Sequence, residues 1–266
     1  MNVFWNGRET SVREAGTGPA LLLLHGYPLD GGMWSGVARR LSDRFRVLKP
    51  DLPGRTDNPA EATGGIEDYA DFVAAILGEL PPPMGVAGFS MGGYVALALL
   101  KRRPKGIGAL ALIDTRAGAD DETGRARREE AIEMVRTKGV DAIADSMLEK
   151  LLSPSSLARR DLVDRLRRIV LRQQAASLES DLRAMRDRPD SRAFLAEIAV
   201  PTLIVVGESD VLTPPSASEE MAAAIPDSRL VTIPGAGHLT PMESPVAVAR
   251  ALGDFFESAL GGVSSS

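Results

Sequence analysis

Ser90 lies in the pentapeptide Gly88-Phe89-Ser90-Met91-Gly92, between an apolar strand pattern and an apolar helix pattern. A serine flanked by glycines at a strand-to-helix turn is typical of a nucleophile elbow, which holds the serine hydroxyl at the carboxyl edge of a sheet. This turn is so sharp that the positions two before and two after the serine favour residues without a Cβ, and here they are Gly88 and Gly92. Because the chain has 26 glycines, an ordinary tight turn is the alternative unless a base, an acid and an oxyanion hole accompany the serine.

The base can be sought by elimination, because the sequence contains two histidines. A serine hydroxyl is a poor nucleophile unless a neighbouring base takes its proton. His25 precedes Gly26-Tyr27-Pro28 at the end of an apolar strand, where it is better suited to bracing a loop through hydrogen bonds. His238 lies in a glycine-rich loop just past the last predicted strand, and it is the predicted base.

The acid must be a carboxylate that holds the imidazole in the required tautomer and stabilises the imidazolium. Asp210 follows the penultimate predicted strand and is the favoured candidate. Asp114 ends an earlier strand at the same sheet edge and stays open as the alternative acid. Its non-catalytic role would be to cap the loop that follows it. Glu208 lies nearer the strand end than Asp210, in a position suited to structure.

The oxyanion hole requires two preorganised backbone N–H groups, one after the nucleophile and one in the loop after the first long strand. In this sequence these positions are Met91 and Tyr27. Each such donor typically contributes about 2.7–4 kcal/mol of transition-state stabilisation. The sequence therefore predicts a complete site for acyl transfer.

The elements that must position these residues alternate between continuous apolar strands and amphipathic helices. This pattern predicts an α/β fold with a doubly wound, mostly parallel sheet that is covered on both faces. Residues 118–197 are different, because arginine-rich amphipathic helices replace the strands. We predict a core formed by residues 1–117 and 198–260, a helical cap formed by residues 118–197 over the carboxyl edge, and a flexible tail at residues 261–266.

Four segments resemble the α/β-hydrolase family, and within it the branch of 3-oxoadipate enol-lactone hydrolases and small bacterial carboxylesterases. They are His25–Asp30, the elbow, Leu112–Ala117 and Gly237-His238. The resemblance implies an eight-stranded core, a four-helix cap and no cofactor. It also implies Ser90, Asp210 and His238 as the triad, with Tyr27 and Met91 as oxyanion donors. No metal site is expected. Relatives commonly have Gly-His-Gly after Asp-x-x, whereas this chain has Asp51-Leu52-Pro53-Gly54-Arg55-Thr56; this departure bears on the subfamily more than on the mechanism.

The predicted activity is hydrolysis of a small ester or lactone through an acyl-enzyme. C–C bond hydrolysis and peroxyacid formation use the same triad and stay open, while the serine at the elbow argues against the aspartate-based dehalogenases and epoxide hydrolases. A non-catalytic ligand receptor on the same fold is the other class considered. Met33, Trp34, Met134, Met147 and Met185 are candidates for the pocket lining, although methionine at helical spacing more often packs in a core.

Composition restricts the remaining classes of partner. The 266 residues include no cysteine, which excludes disulfides and a thiol nucleophile. The net charge of −5 and pI near 5.3 argue against a nucleic-acid footprint. No apolar run approaches the roughly 20 residues of a membrane span, and no secretory signal precedes the first strand, so a cytoplasmic location is expected. The oligomeric state is left open.

Overall fold

The computed structural model describes residues 1–55, 58 and 65–261. The strands of this part of the chain are β1 (Asn2–Trp5), β2 (Arg8–Ser11), β3 (Arg13–Ala15), β4 (Ala20–Leu24), β5 (Arg46–Lys49), β6 (Met84–Phe89), β7 (Ile107–Ile113), β8 (Thr202–Gly207) and β9 (Ser228–Ile233). The α-helices are α1 (Ser35–Leu41), α2 (Ile66–Gly78), α3 (Met91–Lys101), α4 (Glu122–Leu151), α5 (Pro154–Leu157), α6 (Arg160–Leu171), α7 (Ala175–Asp187), α8 (Pro215–Ala224), α9 (Thr240–Glu243) and α10 (Pro245–Gly261).

The central sheet has the strand order β3-β5-β4-β6-β7-β8-β9. Strand β3 is an antiparallel edge strand, and all the other neighbours are parallel. Strands β4, β6 and β8 are buried along their whole length, as expected for parallel strands covered on both faces. Helices α2 and α3 pack together, as do α1 and α10, and both α3 and α10 contact the sheet. The predicted α/β fold with a mostly parallel sheet is confirmed.

The number of strands differs from the eight that the resemblance implies. Among the described residues the central sheet has seven strands, and β1 and β2 form a separate two-stranded sheet. This hairpin turns at Asn6 and Gly7, which both have positive φ, as an Asn-Gly turn favours. The amide of Val12 donates to the carbonyl of Met1 (2.8 Å) and closes the hairpin. Only Arg13–Ala15, after this point, reaches the central sheet.

The chain between β7 and β8 is helical, as the sequence predicts. Helix α4 is bent at Gly139, whose backbone (φ 76°, ψ −172°) is not helical, and it packs against α6 and α7. The buried face of α6 consists of Leu162, Leu166, Ile169 and Val170. The division into core and cap remains a prediction, and residues 262–266 of the predicted tail lie outside the described residues. Within residues 1–55, 58 and 65–261, no helix has the length and apolar character needed to cross a membrane.

Candidate active site

The turn at Ser90 joins β6 to α3 with a strained backbone. Ser90 has φ 51° and ψ −114°, and a positive φ at a residue other than glycine costs on the order of 1–3 kcal/mol. A Cβ on Gly88 would lie 2.3 Å from the carbonyl oxygen of Gly92, and one on Gly92 would lie 2.5 Å from that of Leu24. The steric requirement for glycine at these two positions is therefore met in the structure.

Ser90, His238 and Asp210 form one continuous chain of hydrogen bonds. The Oγ of Ser90 lies 3.0 Å from Nε2 of His238, and Nδ1 of His238 lies 2.8 Å from Oδ2 of Asp210. Because an ionised carboxylate can only accept, Nδ1 carries the proton and Nε2 is left to accept from the serine hydroxyl. The ring of Phe89 packs against the imidazole, with 5.2 Å between the two ring centroids. The arrangement can remove a proton from the hydroxyl of Ser90.

Asp210 is held by its own loop as well as by His238. Its Oδ1 accepts from the amides of Leu212 (2.8 Å) and Thr213 (3.0 Å), and its Oδ2 accepts from the Thr213 hydroxyl (2.7 Å). Burial acts to raise the pKa of Asp210, but the His238 ring and these hydrogen bonds outweigh it, and the pKa is lowered overall. Asp210 is therefore ionised at neutral pH, as the orientation of the imidazole requires.

Asp114 lies in the same region but makes different contacts. Its Oδ1 accepts from the amide of Gly207 (2.9 Å), and its Oδ2 accepts from the amide (3.2 Å) and the hydroxyl of Thr240. Burial and then the nearby charge of Asp210 raise the pKa of Asp114 well above its ordinary value. Of the two candidate acids, the structure brings Asp210 to the imidazole, while Asp114 joins the end of β8 to the start of α9.

The two predicted oxyanion donors lie at the ends of adjacent elements. Met91 is the first residue of α3, so its N–H belongs to the unpaired N–H groups at the positive end of a helix. Tyr27 follows β4, the strand hydrogen-bonded beside β6. In the described part of the chain, neither amide donates to a protein acceptor. Both are thus free to donate to an anionic oxygen, and their role as an oxyanion hole remains a prediction.

His25 contacts two loops and lies apart from the chain of hydrogen bonds at Ser90. Its Nε2 accepts from the amide of Leu52 (3.0 Å), and its Nδ1 lies 3.1 Å from the carbonyl of Gly26. Burial, with a smaller contribution from the charge of Arg55, lowers the pKa of His25 to about 4. His25 is therefore neutral at physiological pH. It joins the loop of residues 25–30, the Tyr27 loop, to the loop after β5, and its role as a brace remains a prediction.

Sequence reasoning missed a buried ion pair between Arg55 and Asp181 of α7. Both side chains are fully buried. Arg55 also donates to the carbonyl of Leu29 (2.8 Å), and the Tyr69 hydroxyl donates to Asp181 (2.6 Å). Arg55 thus links the Tyr27 loop, through Leu29, to α7, through Asp181. The available signal was the departure from the family pattern at Arg55, but an arginine is expected at the surface unless its partner is known.

A second group of polar contacts joins the Tyr27 loop to the end of α6. Asp30 is buried and accepts from the amide of Gly32 (2.8 Å), from the amide group of Gln173 (2.8 Å) and from two guanidinium nitrogens of Arg172 (both 2.5 Å). A bidentate contact of this kind is among the stronger hydrogen-bonded pairs in proteins. The sequence includes Asp30 in the family-like segment but contains no sign of its partners, which lie about 140 residues later.

The candidate pocket residues differ in how deeply they are buried. Met33 and Trp34 are fully buried, and Trp34 packs edge-on against Phe89 at 6.4 Å. Met185 is buried, whereas Met134 and Met147 are partly buried. Trp34 thus lies one aromatic ring away from His238, and the assignment of these side chains to a substrate pocket remains a prediction.

The model of the Alpha/beta hydrolase family matches residues 21–251. The chain belongs to this family. This α/β hydrolase is 30% identical over 247 residues to a pimeloyl-[acyl-carrier protein] methyl ester esterase of Nitrosomonas europaea, covering 88% of this chain and 94% of that protein. It superimposes with a TM-score of 0.91 on a thermophilic esterase from Thermogutta terrifontis with malate bound, at 33% identity and 98% coverage of both chains.

A further solved structure similar to this α/β hydrolase is the enol-lactonase from Burkholderia xenovorans LB400. The TM-score is 0.86 and the identity 27%, with 96% of this chain and 99% of that chain covered. Together with the esterase, this match confirms the resemblance to enol-lactone hydrolases and small carboxylesterases that the four segments indicate.

Proposed function

We propose that this α/β hydrolase is a serine-dependent carboxylic ester hydrolase that cleaves small esters or lactones through an acyl-enzyme. The observation that carries the proposal is the unbroken hydrogen-bonded chain from Ser90 through His238 to Asp210. The names of the similar proteins, two esterases and an enol-lactonase, support the reaction class.

In the first half-reaction, Oγ of Ser90 attacks the carbonyl carbon while Nε2 of His238 takes its proton. Asp210, ionised and hydrogen-bonded to Nδ1, stabilises the imidazolium that forms. The negative charge on the former carbonyl oxygen is placed near the N–H groups of Tyr27 and Met91, each worth about 2.7–4 kcal/mol in the transition state. His238 then gives its proton to the departing alkoxide, and the acyl-enzyme remains.

In the second half-reaction, water takes the place of the alcohol. His238 accepts a proton from the water, the hydroxide attacks the acyl carbon, and Ser90 leaves with the proton returned by the imidazole. The same side chains act in both halves, so the loss of any one of the three slows both. A lactone follows the same course, except that the alcohol stays attached to the acyl group.

The first test is labelling of the wild-type protein with a serine-directed fluorophosphonate, read by intact mass and peptide mapping. We expect one adduct, on Ser90, and none on Ser90→Ala. The variant should unfold at the same temperature as the wild type or higher, because it keeps the backbone and removes only a hydroxyl. A wild-type protein that gains no adduct would contradict the proposal.

The second test is a hydrolysis screen over substrate class. Methyl esters and enol-lactones come first, because these groups occur in the names of similar proteins. The screen extends to p-nitrophenyl esters of increasing acyl length, to lactones of increasing ring size, and to a β-diketone substrate that reports C–C cleavage. Turnover of esters or lactones that is absent in Ser90→Ala supports the proposal, whereas turnover of the diketone alone would replace it with C–C hydrolysis.

A further inference from the structure

Glu243, the last residue of α9, has a buried carboxylate that holds both neighbours of His238. Its Oε1 accepts from the backbone amides of Gly237 (2.9 Å) and Leu239 (3.1 Å). Its Oε2 accepts from the backbone amide of Ser153 (2.9 Å), which lies between α4 and α5. One side chain therefore joins the loop of the proposed base to the junction of two helices that lie about 90 residues earlier in the chain.

The same two segments also meet directly through their backbones. The amide of Leu239 donates to the carbonyl of Leu151 (2.9 Å) as well as to Glu243. A Cβ on Gly237 would lie 2.5 Å from the nitrogen of Ser153, so the segments are as close as backbones allow. We define residues 151–153 as the α4–α5 junction. The residues on both sides of His238 therefore contact this junction, so the junction helps to hold the loop that carries the imidazole.

We propose that Glu243 is a positioning residue that couples the α4–α5 junction to the catalytic base. This inference rests on the proposed function, because it assigns Glu243 a role only if His238 acts as the base. Buried acceptors left without donors, and buried donors without acceptors, are costly. Loss of the carboxylate would therefore release the loop, and a displacement of about 1 Å in a catalytic group can lower the rate about 100-fold.

Glu243→Gln is the sharpest substitution, because it keeps the shape of the side chain. A glutamine has one acceptor oxygen, and its NH₂ group must face either the Ser153 amide or the amides of Gly237 and Leu239. In either orientation the NH₂ group faces a backbone N–H, so the hydrogen bonds on that side of the side chain are lost. We expect kcat for an activated ester to fall about 10- to 100-fold with KM changed less than threefold, and the rate of fluorophosphonate labelling to fall in parallel.

Glu208→Gln is the matched control, because Glu208 follows β8 and its side chain contacts the loop that carries His238. Glu208 is exposed, and its Oε2 accepts from the amide of Gly235 (2.8 Å), two residues before Gly237. It thus also binds a backbone amide through a carboxylate, but it contacts neither neighbour of His238. We expect kcat and labelling within twofold of the wild type. All rates are measured well below the unfolding temperature of each variant, so that a merely structural role would leave them unchanged.

A second pair of variants tests the coupling from the junction, and it decides the matter if Glu243→Gln does not fold. Ser153 has φ −64°, which proline adopts, and Leu152 before it is extended. Ser153→Pro removes the N–H that binds Glu243 and places a ring carbon against the carboxylate. Ser153→Ala keeps the N–H and loses only the hydroxyl. We expect kcat and the labelling rate of Ser153→Pro to be at least 10-fold below those of Ser153→Ala.

The failure of the coupling and the failure of the proposed function give different results. If the wild-type protein neither labels at Ser90 nor hydrolyses any ester, the proposed function fails, and the inference fails with it. If the wild type labels at Ser90 and Glu243→Gln labels at the same rate, the coupling alone is overturned. Equal rates for Ser153→Pro and Ser153→Ala overturn it in the same way.

Discussion

Gly207 and Gly237 lie in direct backbone contact where the loop of Asp210 meets the loop of His238. A Cβ on Gly207 would lie 1.9 Å from the carbonyl oxygen of Gly237. The amide of Ser209 donates to the carbonyl of Ala236 (2.8 Å) and joins the same two loops. The 2.8 Å distance between Asp210 and His238 is made possible by this close approach.

Gly207→Ala is expected to separate the two loops. The added methyl group cannot fit against the Gly237 carbonyl, so the base moves away from the acid and from Ser90. We expect the free energy of unfolding to fall by about 1–3 kcal/mol and kcat to fall about 100-fold. Gly78→Ala is the control, because nothing lies within 4 Å of the added Cβ at the end of α2. Wild-type kcat in Gly207→Ala would contradict the role of this contact.

Asp210→Asn and Asp114→Asn are expected to differ in their effects on kcat. An asparagine at 210 cannot hold the imidazole in the required tautomer, and the comparable loss in a serine protease lowers kcat about 10⁴-fold. Asp114 does not touch His238, so its substitution should lower kcat far less. The measurement is kcat for one activated ester at pH 7.5, with folding checked by circular dichroism. The reverse ranking would assign the acid to Asp114.

The raised pKa of Asp114 predicts how stability depends on pH. The folded state holds this proton at pH values where the unfolded chain has lost it, so stability falls as pH rises above the ordinary pKa of aspartate. Asp114→Asn removes this dependence. We therefore expect the wild type to lose unfolding free energy relative to Asp114→Asn as the pH rises. Urea unfolding from pH 5 to 8 measures it, and parallel curves would refute it.

His25 predicts the opposite dependence on pH. Its folded pKa of about 4 lies below the ordinary value of 6.5, so the unfolded state binds more protons between these values. Stability should therefore fall as pH decreases from 6.5 towards 4, by up to about 3 kcal/mol. His25→Asn should be less stable at pH 7 but lose less on acidification. Urea unfolding of the wild type and of His25→Asn gives the slope of unfolding free energy against pH for each protein. Equal slopes would show that His25 does not cause the loss of stability in acid.

Asp181→Leu is expected to be strongly destabilising, because it leaves the guanidinium of Arg55 buried without its partner. Breaking a buried pair in this way costs about 3–5 kcal/mol. The double variant Arg55→Met with Asp181→Leu should recover most of the loss. Asp145→Asn, which breaks the exposed pair with Arg167, should change the unfolding free energy by at most about 1 kcal/mol. If Asp181→Leu alone is as stable as the wild type, the ion pair between Arg55 and Asp181 does not contribute to stability.

The sequence by itself was enough to predict the main elements and to propose two side chains, Ser90 and His238, as the reacting pair. Continuous apolar strands separated by amphipathic helices indicate a parallel sheet, because strands buried on both faces need apolar residues at every position. Ser90 could be predicted as the nucleophile from the local steric demands at Gly88 and Gly92, and His238 as the base by elimination between two histidines. These conclusions depend on short segments, so no knowledge of distant contacts was required.

Only the tertiary structure showed which of the two candidate acids contacts His238, and which residues hold the loops together. Asp114 and Asp210 both follow strands at the same sheet edge, and only their hydrogen bonds distinguish them. In the sequence Arg55 and Glu243 resemble ordinary surface charges, because Asp181 lies 126 residues from Arg55 and Ser153 lies 90 residues from Glu243. A charged side chain can be buried only where the fold places a partner beside it, and the local sequence does not show where that partner lies.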